Sequence, residues 1–252
     1  MTGAKAALAV ELVKASSSRV IGSATILLVA GIGVLAGSLT AAAQSGNEQV
    51  LAQLGTLAGT SGWDRYLGVA AQVTAAGATL GFGVTLSWMI GREFADGTVA
   101  GLFALPVSRA AIAVAKLAIH LLWAAAVATV LVALLATVGA LLRLGPVDSA
   151  TVAALGRQLT LTILSAGLAM PAAWAATLGR GLLPGVATTI GIIVVAQVTV
   201  VAGTGAWLPL AAPALWALEP ESVSLAQLAL ALVIPLAFAL ATLDAWRRLQ
   251  LT

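Results

Sequence analysis

Long stretches without a charged residue alternate along this chain with short, polar, turn-rich segments. The uncharged runs cover 20–47, 66–91, 117–142, 158–179, 181–218 and 222–243. A helix rises 1.5 Å per residue and the hydrocarbon core of a bilayer is about 30 Å thick, so about 20 mostly apolar residues make a span. The run at 181–218 is too long for one crossing. It breaks at Gly203-Thr204-Gly205 and continues past Pro209 and Pro213 to Pro220. The pattern predicts an all-α polytopic membrane protein with spans at about 20–42, 66–91, 117–142, 158–178, 182–202 and 224–244, and a helical hairpin over 203–221 in the outer leaflet. Pro171 and Pro235 are expected to kink the fourth and sixth spans.

Ahead of the first span, Glu11, Lys14 and Ser18 fall at helical spacing on one stripe. Leu8, Ala9, Leu12 and Val13 cover the other side. Residues 4–18 therefore read as a helix lying in the membrane interface. They do not read as a cleavable signal peptide, because Lys5, Glu11 and Lys14 precede the apolar run.

Composition strengthens the membrane reading. Of 252 residues, 61% are hydrophobic and 8% charged, with a mean hydropathy of +1.08. Soluble domains run at about 45–50% apolar and about 25% charged, so the surplus apolar surface must face lipid. The pI near 10 does not point to nucleic acid, since the basic residues are scattered at the ends of apolar runs rather than clustered on one face. Their distribution sets topology instead. With the N-terminus inside, Lys5, Lys14, Arg19, Arg92, Arg109, Lys116, Arg180, Arg247 and Arg248 are cytoplasmic, against Arg65, Arg143 and Arg157 outside. Both termini and 92–116 are then expected in the cytoplasm of a plasma-membrane protein.

Several chemistries are excluded by residue type. The chain has no cysteine and one histidine, His120, which removes thiol catalysis and Cys/His metal sites. None of Lys5, Lys14 and Lys116 follows a glycine, so no P-loop exists and no cofactor or metal is expected on this chain. Gly59-Thr60-Ser61-Gly62 has the form of an intramembrane serine protease motif. Ser61 belongs to an outer loop, however, and His120 to the cytoplasmic side of span 3, far beyond the ~3 Å a base needs. No carboxylate falls in mid-membrane, which counts against ion-coupled transport. Asp244 is expected to pair locally with Arg247 or Arg248.

The stretch REFADGTVAGLFALPVSR, 92–109, holds four charges in eighteen residues between two uncharged runs. Arg92 and Glu93 close span 2, and Asp96-Gly97-Thr98 makes a turn. A helix over 99–105 follows, stopped by Pro106, and Ser108 caps the next helix. A plain connector needs fewer residues and would not expose Val99, Leu102, Phe103 and Leu105, so the segment is expected to be a docking surface.

This segment, extended to GREFADGTVAGLFALPVSRAAIAVAKL, resembles the loop between spans 2 and 3 in the type-2 family of ATP-binding-cassette (ABC) permeases. Glu93, Gly97, Thr98, Leu105, Pro106, Val107, Ser108, Arg109, Ala115 and Lys116 carry the likeness. The nearest flavour is that of bacterial permeases for drug or antibiotic-peptide export. The resemblance implies a permease that pairs with an identical or homologous chain and docks separate ATPase subunits, which bind ATP and Mg. It implies that Arg92, Glu93, Asp96, Gly97, Thr98, Leu102, Phe103, Pro106 and Arg109 couple to the ATPase, with Glu11 and Lys14 as a second contact. Spans 2 and 5 would line the path of a small amphipathic, hydrophobic or peptide substrate, making Thr74, Thr85 and Gln197 pathway candidates. Glu219 and Glu221 would be outer gate candidates, or simply mark a solvated loop. A non-transporting membrane scaffold or immunity protein and an ion-coupled secondary transporter are the alternatives.

Overall fold

The computed structural model describes residues 3–103 and 106–250. Ala104 and Leu105, and with them the end of the helix expected over 99–105, lie outside the described residues. All regular structure among the described residues is helical. Helix α1 (Gly3–Ser16) leads into α2 (Arg19–Gln44), whose first turn is capped by Ser18 Oγ accepting the Ile21 N–H. Asn47 caps the short α3 (Glu48–Leu54) in the same way. A 3-10 turn at Gly55–Gly59 follows, then α4 (Gly62–Ala95), α5 (Val99–Phe103) and α6 (Arg109–Leu141). Beyond them run α7 (Ser149–Leu168), α8 (Met170–Leu178) and α9 (Leu182–Val201). The chain then doubles back through single 3-10 turns at Gly205–Trp207 and Pro220–Ser222 around α10 (Ala212–Leu218). It ends in α11 (Leu225–Leu230) and α12 (Val233–Arg248).

Six of these units are long and apolar enough to cross a membrane: α2, α4, α6, α7 with α8, α9, and α11 with α12. The protein is an all-helical, multi-pass membrane protein. The two composite spans are interrupted where proline removes a backbone N–H. Pro171 opens α8 immediately after the break at Ala169, and Pro235 stands in the first turn of α12.

Helix α4 is the axis of the bundle. Its 34 residues make it about 51 Å long, enough to cross the apolar layer and project beyond it. It packs against α2, α7, α8 and α9. From its Gly62 end to just past its middle, Trp63, Tyr66 and Phe82 join Leu131 and Leu135 of α6 in one buried cluster. Toward its Ala95 end, Leu86 and Ile90 join Leu117, Met170 and Trp246 in a second. One end of the bundle carries α1, residues 92–109 and the end of α12. The other carries α3, α10 and the start of α7, where Asp148 Oδ1 accepts the Thr151 N–H at 2.8 Å. That hydrogen bond and the Thr151 hydroxyl hold the Asp148 carboxyl below its usual range.

Helix α9 packs along α4 and α8 yet buries few of its side chains. Only Gly185 and Thr189 are buried, while Val194, Val195, Val198 and Val201 face outward. The close approach depends on glycine. A Cβ on Gly185 would stand 2.8 Å from the Ala172 carbonyl oxygen and against Ser87 Oγ, and one on Gly91 would stand 2.6 Å from Leu182 N. Backbone atoms cannot yield as a side-chain tip can. Gly185→Leu is therefore expected to separate α9 from α4 and α8, lowering the thermal midpoint of the purified protein in detergent by the equivalent of about 1–3 kcal/mol. Gly191→Leu, at a position where an added Cβ meets nothing within 4 Å, should leave it unchanged.

Candidate functional site

At the end of the bundle that carries α1 and the end of α12, four charged side chains from three helices close into a ring. Lys116, in the second turn of α6, donates to Glu93 Oε1 at 2.7 Å and to Glu11 Oε2 at 3.0 Å. Lys14 donates to the same Glu93 oxygen at 3.0 Å and to Glu11 Oε1 at 3.3 Å. The Thr98 hydroxyl donates to the remaining oxygen, Glu93 Oε2, at 2.5 Å. Two carboxylates and two ammonium groups cancel, and every carboxylate oxygen has a donor. That matters because Glu11, Glu93 and Lys116 are nearly or wholly removed from solvent, at 4%, 1% and 0% exposure. An unpaired charge in such a place costs several kcal/mol.

The ring is held by local structure. Glu11 and Lys14 lie on one face of α1 at i, i+3. Glu93 stands in the last turn of α4, whose C-terminus closes at Asp96, and Gly97 follows with φ +68°. That left-handed glycine turns the chain so that Thr98 returns toward Glu93 and α5 starts across the end of the bundle. Behind α5, Phe94 and Phe103 meet the wholly buried Trp246 edge-on, with ring centroids 6.3 and 6.4 Å away. The Arg109 guanidinium lies 4.1 Å from the Phe103 centroid and donates to the Leu249 carbonyl oxygen. Arg92 stacks on Trp88 at 4.5 Å. The outward surface of the segment is thus Asp96, Gly97, Thr98 and Pro106, all exposed. An apolar groove of about 240 Å³ runs between α5 and α1, lined by Ala6, Val10, Leu102, Pro106 and Val107.

A family model described as "ABC-2 family transporter protein" matches residues 7–197, which include the ring, the groove apart from Ala6, four whole spans and the fifth as far as Gln197. The chain belongs to the ABC-2 family of transporter permeases. It is a membrane permease component of an ABC transporter, the membrane subunit rather than the ATPase. No curated protein matches it.

Several sequence-predicted positions are placed differently in the permease. Glu11 and Lys14, expected as a contact for a partner, and Glu93, expected on the docking segment, turn inward. The Glu11 and Glu93 carboxylates are matched by Lys116 and by Lys14, whose own side chain keeps 29% exposure. Phe103 and Arg109 are half-buried against the end of α12. Thr74 is wholly buried between α4 and α7, where Gln158 Nε2 donates to its hydroxyl at 2.6 Å, so it does not face an open path. Thr85 is also buried, at 2% exposure. Gln197 is exposed, and it shares with Gln72 and Thr79 a cleft of about 110 Å³ between α4 and α9. Glu219 and Glu221 are exposed at the opposite end of the bundle. Ser61 and His120 do not meet. His120 lies against Phe82, about 30 Å along α4 from Ser61, and its Nε2 is 3.2 Å from the Ala166 carbonyl oxygen.

Sequence reasoning missed the pairing of Lys116 with Glu93, because a lysine just ahead of an uncharged run also reads as a membrane-surface anchor. It missed the Trp246 cluster for lack of any local signal. The permease should lose much of its stability in Lys116→Met, about 3–5 kcal/mol, since two buried carboxylates then face one lysine. Adding Glu11→Gln restores neutrality and should recover a large part of the loss. Denaturation midpoints of the two variants in detergent check this, and equal midpoints would show that the ring's charge balance is immaterial.

Proposed function

We propose that the permease is the membrane-spanning subunit of an ATP-driven exporter, in which two permease chains pair and separate ATPase subunits dock at the end carrying 92–109. The observation that carries this reading is the joining of α1, α4, α5 and α6 by one buried ion network beneath a shared apolar groove. A push on α5 or α1 is transmitted to two spans at once, because moving either element alone would expose or separate buried charges. In this reading the ATPases, with ATP and Mg, meet the Asp96–Gly97 turn, Leu102 and Pro106, together with the outer side of α1. Glu11, Lys14, Glu93 and Thr98 hold those contacts in place from behind, and Arg92, Phe103 and Arg109 brace the segment. The lysine and arginine distribution supports a cytoplasmic position for this end and for both termini.

The outward-facing side of α9 supports pairing with a second permease chain, identical or homologous. The cleft between α4 and α9, with Gln72, Thr79 and Gln197, is the part of the path contributed by this chain, and the apolar surface around it suits a small amphipathic or hydrophobic substrate. Glu219 and Glu221 stand at the outer mouth in this orientation.

Because the chain has no cysteine, Asp96→Cys supplies a single reactive thiol. In native membranes a short crosslinker is expected to join it to a P-loop ATPase identified by mass spectrometry. Leu102→Asp, which places a charge in the groove, is expected to lower ATP-dependent efflux at least about tenfold at unchanged membrane level, the loss of one buried apolar contact plus a desolvated charge. Labelling of Asp96→Cys by an impermeant reagent added outside intact cells would invert the topology and overturn the reading.

A further inference from the structure

The opposite end of the bundle holds a second feature that neither the coupling reading nor the family match uses. A cavity of about 210 Å³ lies between the start of α4, the middle of α7 and the 3-10 turn at Gly55–Gly59. Asp64 and Arg157 both line it. They carry opposite charges, yet no ion pair joins them, and neither pairs with any other charged residue among those described. Arg157 Nε is buried without a hydrogen-bond partner.

Gln158, in the same lining, is 1% exposed. Its Nε2 is committed to Thr74, and its Oε1 is buried without a donor. Turning the amide over exchanges the two ends but still leaves one of them unused. Buried polar groups are normally satisfied, so an unpartnered amide end and an unpartnered guanidinium nitrogen around one cavity mark a place built for a polar guest. Thr60, whose hydroxyl donates to the Leu57 carbonyl oxygen, also lines the cavity, and Leu57 and Ala154 supply apolar wall.

The donor set defines the guest. A carboxylate attracts an ammonium group, and a guanidinium fork takes two oxygens of a phosphate or carboxylate. One cavity offering both selects a group that carries both charges. Its volume is below the roughly 300–1,000 Å³ of drug-sized sites, which suits a headgroup or an amino acid and not a whole lipid or peptide. We propose that this cavity binds a zwitterionic group of phosphoethanolamine size, its ammonium on Asp64, its anion on Arg157 and a hydrogen bond to the Gln158 amide. That chemistry is presented by a zwitterionic phospholipid headgroup in the adjoining leaflet and by a soluble zwitterion.

The full chain purified in detergent tests this without an ATPase, so the outcome is independent of the exporter reading. Phosphatidylethanolamine and phosphatidylglycerol are titrated separately and retention is read by native mass spectrometry, while soluble phosphoethanolamine is titrated by calorimetry. The ethanolamine lipid is expected to bind at least about tenfold tighter than the glycerol lipid, which lacks the ammonium. Asp64→Asn and Arg157→Gln should each weaken it about tenfold, the loss of one charge-assisted contact. Ala154→Phe, which fills the cavity with both charges in place, should abolish binding. Elution profile and helicity verify that each variant is folded. Binding of the lipid alone assigns the site to the leaflet, and binding of phosphoethanolamine with the same variant pattern assigns it to a soluble zwitterion. Equal retention of both lipids with no phosphoethanolamine binding, or retention indifferent to Asp64→Asn and Arg157→Gln, overturns the proposal.

Discussion

Removing a charge from water is so costly that the buried Glu11, Glu93 and Lys116, with the half-buried Lys14, constrain one another more tightly than any apolar contact can. Glu11, Lys14, Glu93 and Lys116 come from α1, α4 and α6, which also share a small apolar cluster of Ala15, Met89 and Ile119. An apolar face tolerates sliding, because one methyl contact replaces another at little cost. A ring in which each carboxylate oxygen already has its donor does not, since any displacement leaves a charge unmatched. Helix α1 is therefore fixed to the bundle by its polar side, and its apolar Leu8, Leu12 and Val13 are left to face outward. This is the reverse of a soluble amphipathic helix, and it suits a helix lying in the membrane interface.

The same demand for satisfied polar groups explains the hydroxyl side chains inside the spans. Thr79, Ser87, Thr162, Ser165, Thr177, Thr189 and Thr242 each donate to the carbonyl four residues earlier on their own helix. In an apolar surrounding that bond neutralises the hydroxyl's polarity locally. A threonine in a span is thus small, slightly polar filling between helices, and its presence does not mark a water-lined path. Gln72 and Gln197, whose longer amides remain exposed on α4 and α9, are better markers of such a surface.

The two ends of the bundle solve the electrostatic problem differently. At one end Glu11, Lys14, Glu93 and Lys116 form a neutral paired network, and the aromatic cluster of Phe94, Phe103 and Trp246 seals the segment from behind. At the other, Asp64 and Arg157 share a cavity without pairing, and a buried glutamine keeps half of its amide unused. The contrast follows from geometry: α1 and α5 cover the first end, while short turns and α10 leave space at the second.

The sequence by itself determined the six apolar spans, a helix ahead of the first of them, the turn at Asp96–Thr98 and the family. Each is written in local periodicity, in charge placement or in a contiguous motif. Local pattern could also place Glu11, Lys14, Glu93 and Lys116 at one membrane face. Only the tertiary structure decided that they meet, because ring closure depends on how α1, α4 and α6 pack, and positions 11, 93 and 116 are too far apart for any periodicity to link. It likewise turned Phe103 onto Trp246, committed Thr74 to Gln158, and left Asp64 and Arg157 facing one cavity unpaired. Helical spacing names the face of a single helix, but the partner across that face is set by the packing of the whole bundle.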